Sequence, residues 1–199
     1  TDYLAVWLNN GSGVFAAAAQ FTAGTFPQEV RAGDLDNDGD QDLVTLNSSS
    51  DDVSVFLNNG VGSFSLVQTL PFPGNIGFFA DSFNLADYDS DGDLDMAIID
   101  GNSIDIAVND GFAQFAAPLV FPTGFFFSAD DGMASGDGDG DGDVDIVSAG
   151  SAFQSTSLFL NSPIPAPVLS FPVTLSQPAT TTVTVKFQTV DGTAVSGVD

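Results

Sequence analysis

The 199-residue chain contains no cysteine and no histidine, and it has only two basic residues. Without cysteine there is no disulfide framework, no thiolate zinc site and no cysteine nucleophile. The chain has no histidine, and Arg31 and Lys186 are its only basic residues. It therefore lacks most of the side chains from which a nucleophile–base triad or a cationic oxyanion site is built. Glu29 is the only glutamate, which leaves few groups for glycoside hydrolysis by paired carboxylates. These absences predict a protein that is not an enzyme.

The scarcity of bases leaves a large acidic excess, because 27 Asp and Glu residues stand against 2 Lys and Arg and give a formal net charge of −25 at pH 7. A surface of this sign repels phosphate, which excludes nucleic acid and anionic lipid as partners. The longest apolar stretch, residues 112–129, carries Pro118, Pro122 and Gly124, which favour two strands and a loop over an inserted helix. The N terminus lacks the basic and apolar segments of a signal peptide and begins with threonine, so we interpret the chain as a processed or excised piece.

Two sequence elements alternate along the chain at a constant spacing. The first is the pattern D-x-D-x-D-G-D-x-D, which starts at Asp34, Asp87 and Asp137. The second carries an Asn-Gly or Asp-Gly pair and reads VWLNNGSGVF at 6–15, VFLNNGVGSF at 55–64 and IAVNDGFAQF at 106–115, with a shortened LFLNSP at 158–163. A period near fifty residues predicts a repeat architecture in which each period forms one unit.

Each period is predicted to contain four short antiparallel strands. Apolar and β-branched stretches follow each aspartate segment, and a second set precedes each Asn-Gly pair, which is the strongest short-range hairpin signal. The phenylalanine four residues after that glycine (Phe15, Phe64 and Phe115) is expected to open the next strand. The chain is therefore predicted to be all-β, with about three and a half four-stranded blades of an incomplete β-propeller. The 19 phenylalanines and Trp7 are expected in blade cores, and the alternative is an aromatic sugar-binding platform.

The aspartate segments have the composition of calcium-binding loops. Glycine at the sixth position permits a sharp turn, after which the carboxylates of the first, third, fifth and ninth positions can converge on one hard cation and the seventh residue can offer its backbone carbonyl. Charged oxygen ligands favour Ca²⁺ over Zn²⁺, and so flexible a cage disfavours Mg²⁺. An EF-hand is excluded because it needs an acid at the twelfth position, which here is Thr45, Ile98 and Ser148. The alternative is a low-complexity or halophilic acidic surface, although 15 of the 27 acids fall inside the three motifs.

Motif, turn and period together resemble the FG-GAP, or VCBS, repeat of integrin α-subunit propellers and of many large bacterial surface proteins. The resemblance covers residues 1–161 and implies three Ca²⁺ sites, one in a strand-to-strand loop of each blade. It places side-chain ligands on Asp34, Asp36, Asp38 and Asp42, on Asp87, Asp89, Asp91 and Asp95, and on Asp137, Asp139, Asp141 and Asp145. It implies that Asp40, Asp93 and Asp143 contribute their backbone carbonyls and not their side chains. Such propellers usually have seven blades, so we expect a fragment or closure with another copy.

The composition changes after Asn161. SPIPAP at 162–167 is predicted to be a proline-rich linker, and residues 168–199 alternate apolar and polar side chains as half-buried strands do. VTLS, TVTVKFQTVDGTA and the final glycine, valine and aspartate resemble the start of a Calx-β domain, which has an immunoglobulin-like β-sandwich fold. That resemblance implies calcium contacts from Asp191 and Asp199, at a site that would be incomplete.

These features predict a calcium-binding extracellular β-propeller module that belongs to a surface adhesion or ligand-binding protein. The alternatives are the non-catalytic propeller region of a secreted carbohydrate-active enzyme and a structural spacer. The expected partners are a protein or glycan ligand at a cell surface, and unpaired sheet edges predict self-association. An extracellular location is expected because weak calcium sites fill outside the cell and stay empty in the cytosol.

Overall fold

The computed structural model describes residues 2–72, 82–100, 102–123, 132–150 and 155–161. These residues belong to the first of two compact units, Thr1–Pro163. The predicted linker at 162–167 and the predicted Calx-β strands at 168–199, with Asp191 and Asp199, lie outside the described residues. Within the described ranges there is no helix, and therefore none with the length and apolar character that crossing a membrane requires.

In the described part of the chain thirteen strands form four antiparallel sheets, and each of these sheets is built from strands consecutive in the chain. The first sheet, a half blade, contains β1 (Tyr3–Val6) and β2 (Ala19–Thr22). Blade 1 contains β3 (Pro27–Gly33), β4 (Asp42–Asn47), β5 (Asp52–Asn58) and β6 (Phe64–Pro71). Blade 2 contains β7 (Phe83–Ala86), β8 (Asp95–Asp100), β9 (Ser103–Ala107) and β10 (Leu119–Pro122). Blade 3 contains β11 (Gly132–Gly136), β12 (Asp145–Gly150) and β13 (Ser155–Phe159).

The sheets follow the predicted blade pattern. Each aspartate segment joins the first and second strands of a blade, and the Asn-Gly or Asp-Gly turns join β1 to β2, β5 to β6 and β9 to β10. The first strands of neighbouring blades contact each other, β3 against β7 and β7 against β11. The all-β, blade-forming prediction is therefore confirmed, and no closed barrel is formed among the described residues.

The phenylalanine after each turn opens a strand in only one of three cases. Phe64 begins β6, whereas Phe15 and Phe115 form single bridges to Asn9 and Asn109 and the strands proper begin later, at Ala19 and Leu119. Pro118 has no N–H to donate to the ladder, and alanines occupy residues 16–18 of the half blade, where β-structure disfavours them. These residues delay the strand start.

The hydrophobic core consists of two layers, each between neighbouring blades. One layer joins blades 1 and 2 through Val44, Val55, Phe83 and Ile98, among others. The other joins blades 2 and 3 and includes Ile99 and Ile146. Alternate side chains of β8 enter the two layers, so that Met96, Ala97, Ile98 and Ile99 are all exposed by 1% or less. Blade stacking thus excludes water from both faces of β8 in blade 2.

Several phenylalanines, and Trp7, are exposed, which corrects the expectation that all of them lie in blade cores, and two of these side chains, Trp7 and Phe15, belong to the half blade. Trp7 is 57% exposed, whereas Phe56 at the same place in blade 1 is 1% exposed. Phe15 is 61% exposed, whereas its equivalent Phe115 is 4% exposed. The cause is that the described half blade has one neighbouring sheet where blades 1 and 2 each have two.

Candidate metal-binding loops

The three aspartate segments form loops that occupy equivalent places in their blades. We name them loop 1 (34–42), loop 2 (87–95) and loop 3 (137–145). Each closes between residues paired across the first two strands, which are Gly33 with Asp42, Ala86 with Asp95, and Gly136 with Asp145. The sixth-position glycines have φ of 93°, 99° and 98°. This left-handed backbone is the conformation for which glycine was expected at that position.

Three of the predicted ligands converge in every loop. The carboxylates of the first, third and ninth positions offer oxygens that all lie within 4.8 Å of one another. The three clusters are Asp34, Asp36 and Asp42; Asp87, Asp89 and Asp95; and Asp137, Asp139 and Asp145. The same motif positions therefore meet three times in one chain, as the calcium prediction requires.

The fifth-position carboxylates are not members of these clusters. Asp38, Asp91 and Asp141 each accept a hydrogen bond from the backbone N–H of the seventh residue, at 2.9, 2.9 and 3.0 Å. The first-position carboxylate closes the turn, and Asp87 for example accepts the N–H groups of Asp91 and Gly92 at 3.1 and 3.0 Å. The loops are thus folded by their own backbone N–H groups, and a ligand role for the fifth position stays a prediction.

The ninth-position aspartate has a structural role that sequence reasoning missed. Asp42, Asp95 and Asp145 are fully buried. One oxygen of each accepts the N–H of the second loop residue, at 2.9, 2.9 and 2.7 Å. The other accepts the N–H of an asparagine that ends the third strand or lies two residues after it, namely Asn58, Asn109 and Asn161, at 2.8, 2.8 and 2.7 Å. The signal in the sequence was the asparagine that accompanies every loop at a near-constant distance.

Two of these asparagines also join neighbouring blades. Asn109 Nδ2 donates to the carbonyl of Leu35 in loop 1 at 2.9 Å, and Asn161 Nδ2 donates to the carbonyl of Tyr88 in loop 2 at 2.8 Å. Leu35 and Tyr88 both hold the second position of their loops. Loops 1 and 2 are therefore each fixed to the third strand of their own blade and to that of the following blade.

Loss of hydration, together with repulsion between neighbouring carboxylates, raises the pKa of several carboxyl groups in these clusters. Loss of hydration, followed by repulsion from Asp38 and Asp34, raises the pKa of Asp36. Loss of hydration likewise raises the pKa of Asp42, Asp89 and Asp95, with neighbouring loop carboxylates adding to the effect. The pKa of Asp139 is raised by the same cause. A divalent cation at the centre of each cluster would offset this repulsion.

The chemistry of the clusters fits a hard cation such as calcium. Oδ1 of Asp36 is inaccessible to solvent and has no hydrogen-bond partner, although a buried carboxylate oxygen normally has one. It belongs to one of the converging groups, and every side chain that converges offers oxygen. A cation held by Asp34, Asp36 and Asp42 would satisfy this oxygen.

Comparison with known proteins supports the repeat and the fold. The family model for the FG-GAP-like repeat matches residues 1–45 and 34–98, so this part of the chain is similar to FG-GAP-like repeats. No curated protein sequence is significantly similar to the chain.

Two solved structures have similar, propeller-like folds. A lectin of Agrocybe aegerita that recognises non-reducing terminal N-acetylglucosamine aligns with a TM-score of 0.56 and 22% identity, over 81% of this chain and 44% of that one. The Tc holotoxin pore of Photorhabdus luminescens aligns with a TM-score of 0.53 and 23% identity, over 81% of this chain and 8% of that one. The chain thus spans less than half of either structure, and at these identities the likeness shows the fold alone.

Proposed function

We propose that this chain is a calcium-stabilised β-propeller segment of an extracellular ligand-binding or adhesion protein, and that it is not an enzyme. The observation that carries the proposal is the threefold convergence of first, third and ninth carboxylates within 4.8 Å. A low-complexity acidic tract would not bring the same motif positions together in every blade. The unpartnered Oδ1 of Asp36 adds an atom that a cation would satisfy.

Calcium would contribute stability by neutralising the densest charge. Three bound ions would add six positive charges to a formal net charge of −25. If free Ca²⁺ exceeds each Kd about a hundredfold, each site contributes roughly 2.7 kcal/mol. Three sites would then rival the whole stability of a small domain, which is about 5–15 kcal/mol.

Thermal unfolding in chelator, in Mg²⁺ and in millimolar Ca²⁺ tests the metal assignment. The melting temperature is expected to rise in Ca²⁺ well above its value in the other two conditions, and Asp139→Ala is expected to lose part of that rise. Loop 3 should depend most on calcium, because Gly138 and Gly140 make its apo backbone the costliest to order. A melting temperature that ignores calcium, or an Asp139→Ala chain that matches the parent in calcium, would refute the assignment.

The proposed location and ligand follow from the metal and the fold. Weak sites of this kind fill at extracellular calcium levels, which supports an extracellular or cell-surface location. The Agrocybe aegerita lectin supports glycans as a ligand class to test first. Binding on a glycan array would support a ligand-binding module, whereas the absence of binding to glycans and to cell surfaces would favour a structural spacer.

The non-enzymatic assignment is supported by what the scarce catalytic residue types do. Glu29 forms an ion pair with Arg31 and accepts the N–H of Phe83 at 3.2 Å. Arg31 donates to the carbonyl of Phe83 at 3.1 Å and lies over its ring. Both side chains thus join blade 1 to blade 2. The chain could also be the non-catalytic propeller region of a secreted carbohydrate-active enzyme, and hydrolysis of acidic polysaccharides by this chain alone would refute the non-enzymatic assignment.

A further inference from the structure

Neighbouring loops are joined by hydrogen bonds between side chains at constant motif positions. Asn37, the fourth residue of loop 1, donates through Nδ2 to Oδ1 of Asp93, the seventh residue of loop 2, at 2.7 Å. Ser90, the fourth residue of loop 2, donates through Oγ to Oδ1 of Asp143, the seventh residue of loop 3, at 3.2 Å. The same connection is therefore made across both blade interfaces.

The fourth loop residue adopts a backbone conformation that is unfavourable for residues other than glycine. Asn37 and Ser90 have φ of 60° and 65°, in the left-handed region that glycine adopts most readily. Loop 3 has Gly140 at this position, with φ of 89°, and no fourth loop follows it in the 199 residues. A side chain thus replaces glycine at the two fourth positions that have a following loop to contact.

The acceptor is fixed from a second side. A Cβ placed on Gly111 would overlap the carboxylate of Asp93, so this carboxylate packs directly on the Asp-Gly turn of its own blade. Asp40 has the same relation to Gly60, where the distance from the added Cβ to Oδ2 would be 2.7 Å. Asp93 is therefore held between its own turn and Asn37 of the preceding loop.

We propose that Asn37 and Ser90 are positioning residues that raise the calcium affinity of the loop in the following blade. The seventh residue of a D-x-D-x-D-G loop offers its carbonyl to the ion, and holding its side chain orients that carbonyl before the ion arrives. Asn37 acts on loop 2 and Ser90 acts on loop 3. The inference rests on the proposed calcium function and extends it, because it makes each site depend on a residue outside its own motif.

Loop 2 contains its own optical reporter. Tyr88 is the second residue of loop 2, whereas Leu35 and Gly138 hold that place in the other loops. Terbium(III), a luminescent substitute for calcium, emits when a nearby excited tyrosine transfers energy to it. Tyr88 also packs against blade 3, where its hydroxyl lies 2.6 Å from Oγ of Ser135, so it can excite an ion in loop 3 as well. In an Asp139→Ala background, which removes a predicted ligand of loop 3, the part of the terbium emission that Tyr88→Phe abolishes therefore measures occupancy of loop 2.

The test is a terbium titration of the full chain, with competition by Ca²⁺, for the parent and for Asn37→Gly. Glycine accepts the left-handed backbone and removes only the donor, so the variant is expected to unfold in chelator at the parent's temperature or slightly above it. Its loop 2 affinity is expected to fall about tenfold, the lower end of the range for partners that orient a ligand, because this hydrogen bond is exposed. Asn37→Ser keeps a hydroxyl donor like that of Ser90 and is expected to restore most of the affinity. Gly140→Asn, the same residue type in a loop with no following loop, is the matched control and should leave the loop 2 signal unchanged.

The outcomes separate this inference from the proposed function. A parent-like loop 2 affinity in Asn37→Gly would overturn the positioning role while leaving calcium binding intact. A loop 2 affinity in Asn37→Ser as low as in Asn37→Gly would show that the hydrogen-bond donor does not determine the affinity, and it would also overturn the positioning role. A parent chain that binds neither terbium nor Ca²⁺ would overturn the proposed function and the inference together.

Discussion

Replacing Asp95 with asparagine should destabilise the chain whether or not calcium is present. The Asp95 carboxylate is fully buried and accepts the backbone N–H groups of Tyr88 and Asn109, at 2.9 and 2.8 Å. An asparagine of the same shape has one oxygen and one NH₂ group, so one of the two N–H groups would face another donor. The second position of loop 2 or the end of the third strand would lose its partner.

The magnitude follows from the number of buried donors left without an acceptor. Leaving one buried N–H unsatisfied costs about 1–3 kcal/mol. Asp95→Asn should therefore cost about 1–3 kcal/mol and Asp95→Ala, which removes both acceptors, about 2–6 kcal/mol. For a chain of this size each kcal/mol lowers the melting temperature by about 2–4 °C, so the alanine variant should melt on the order of 10 °C lower.

Asp89→Asn is the matched comparison, because Asp89 belongs to the same cluster but is exposed. Loss of hydration and repulsion from Asp91 raise its pKa, so removing its charge relieves repulsion when no cation is bound. In chelator Asp89→Asn should unfold at the parent's temperature or above it, whereas Asp95→Asn should unfold below it. In millimolar Ca²⁺ both variants should be less stable than the parent.

Thermal unfolding followed by circular dichroism, in chelator and in Ca²⁺, distinguishes the two roles. An Asp95→Asn chain as stable as the parent in chelator would refute the structural role, and its carboxylate would then matter only as a ligand. Equal destabilisation of both variants in chelator would show that the third position also supports the apo fold.

Three further predictions concern the turns, the charge and the exposed face. Gly60→Ala should lower the urea midpoint of unfolding more than Gly39→Ala does. Both glycines have positive φ, but only at Gly60 would the new Cβ meet a side chain, with Oδ2 of Asp40 at 2.7 Å. Equal decreases of the midpoint would contradict this prediction. In chelator the melting temperature should rise as the pH falls from neutral toward 3.8, since raised pKa values such as that of Asp36 mean that the folded chain takes up protons before the unfolded chain does. In Ca²⁺ it should fall over the same range because protons displace the cation, and the same slope in both conditions would contradict the metal assignment. Sedimentation should show that the chain associates as its concentration rises. Trp7→Gln should weaken this association without lowering the melting temperature, because Trp7 is 57% exposed. A monomer at all concentrations would contradict the prediction.

The fold was predictable because its determinants are local and repeat along the chain. The Asn-Gly and Asp-Gly turns and the sixth-position glycines each require a particular backbone, and apolar stretches of strand length stand between them. The convergence of Asp34 with Asp36 was predictable for the same reason, since both lie in one short loop. The exposure of Trp7 was not, because it depends on which sheet stands beside the half blade and no residue near Trp7 encodes that.

The least predictable features are those in which one residue serves two neighbours. The sequence suggests that Asp95 is a ligand, but its two backbone donors come from loop 2 and from the end of β9, 14 residues away. The seventh residue was expected to contribute only its backbone carbonyl, yet the side chain of Asp93 accepts a hydrogen bond from Asn37, 56 residues earlier. Both contacts exist because successive blades repeat the same geometry at a fixed offset. In a repeat protein, comparing equivalent positions of adjacent repeats therefore finds contacts that neither repeat reveals alone, and the change from Asn37 and Ser90 to Gly140 is such a signal.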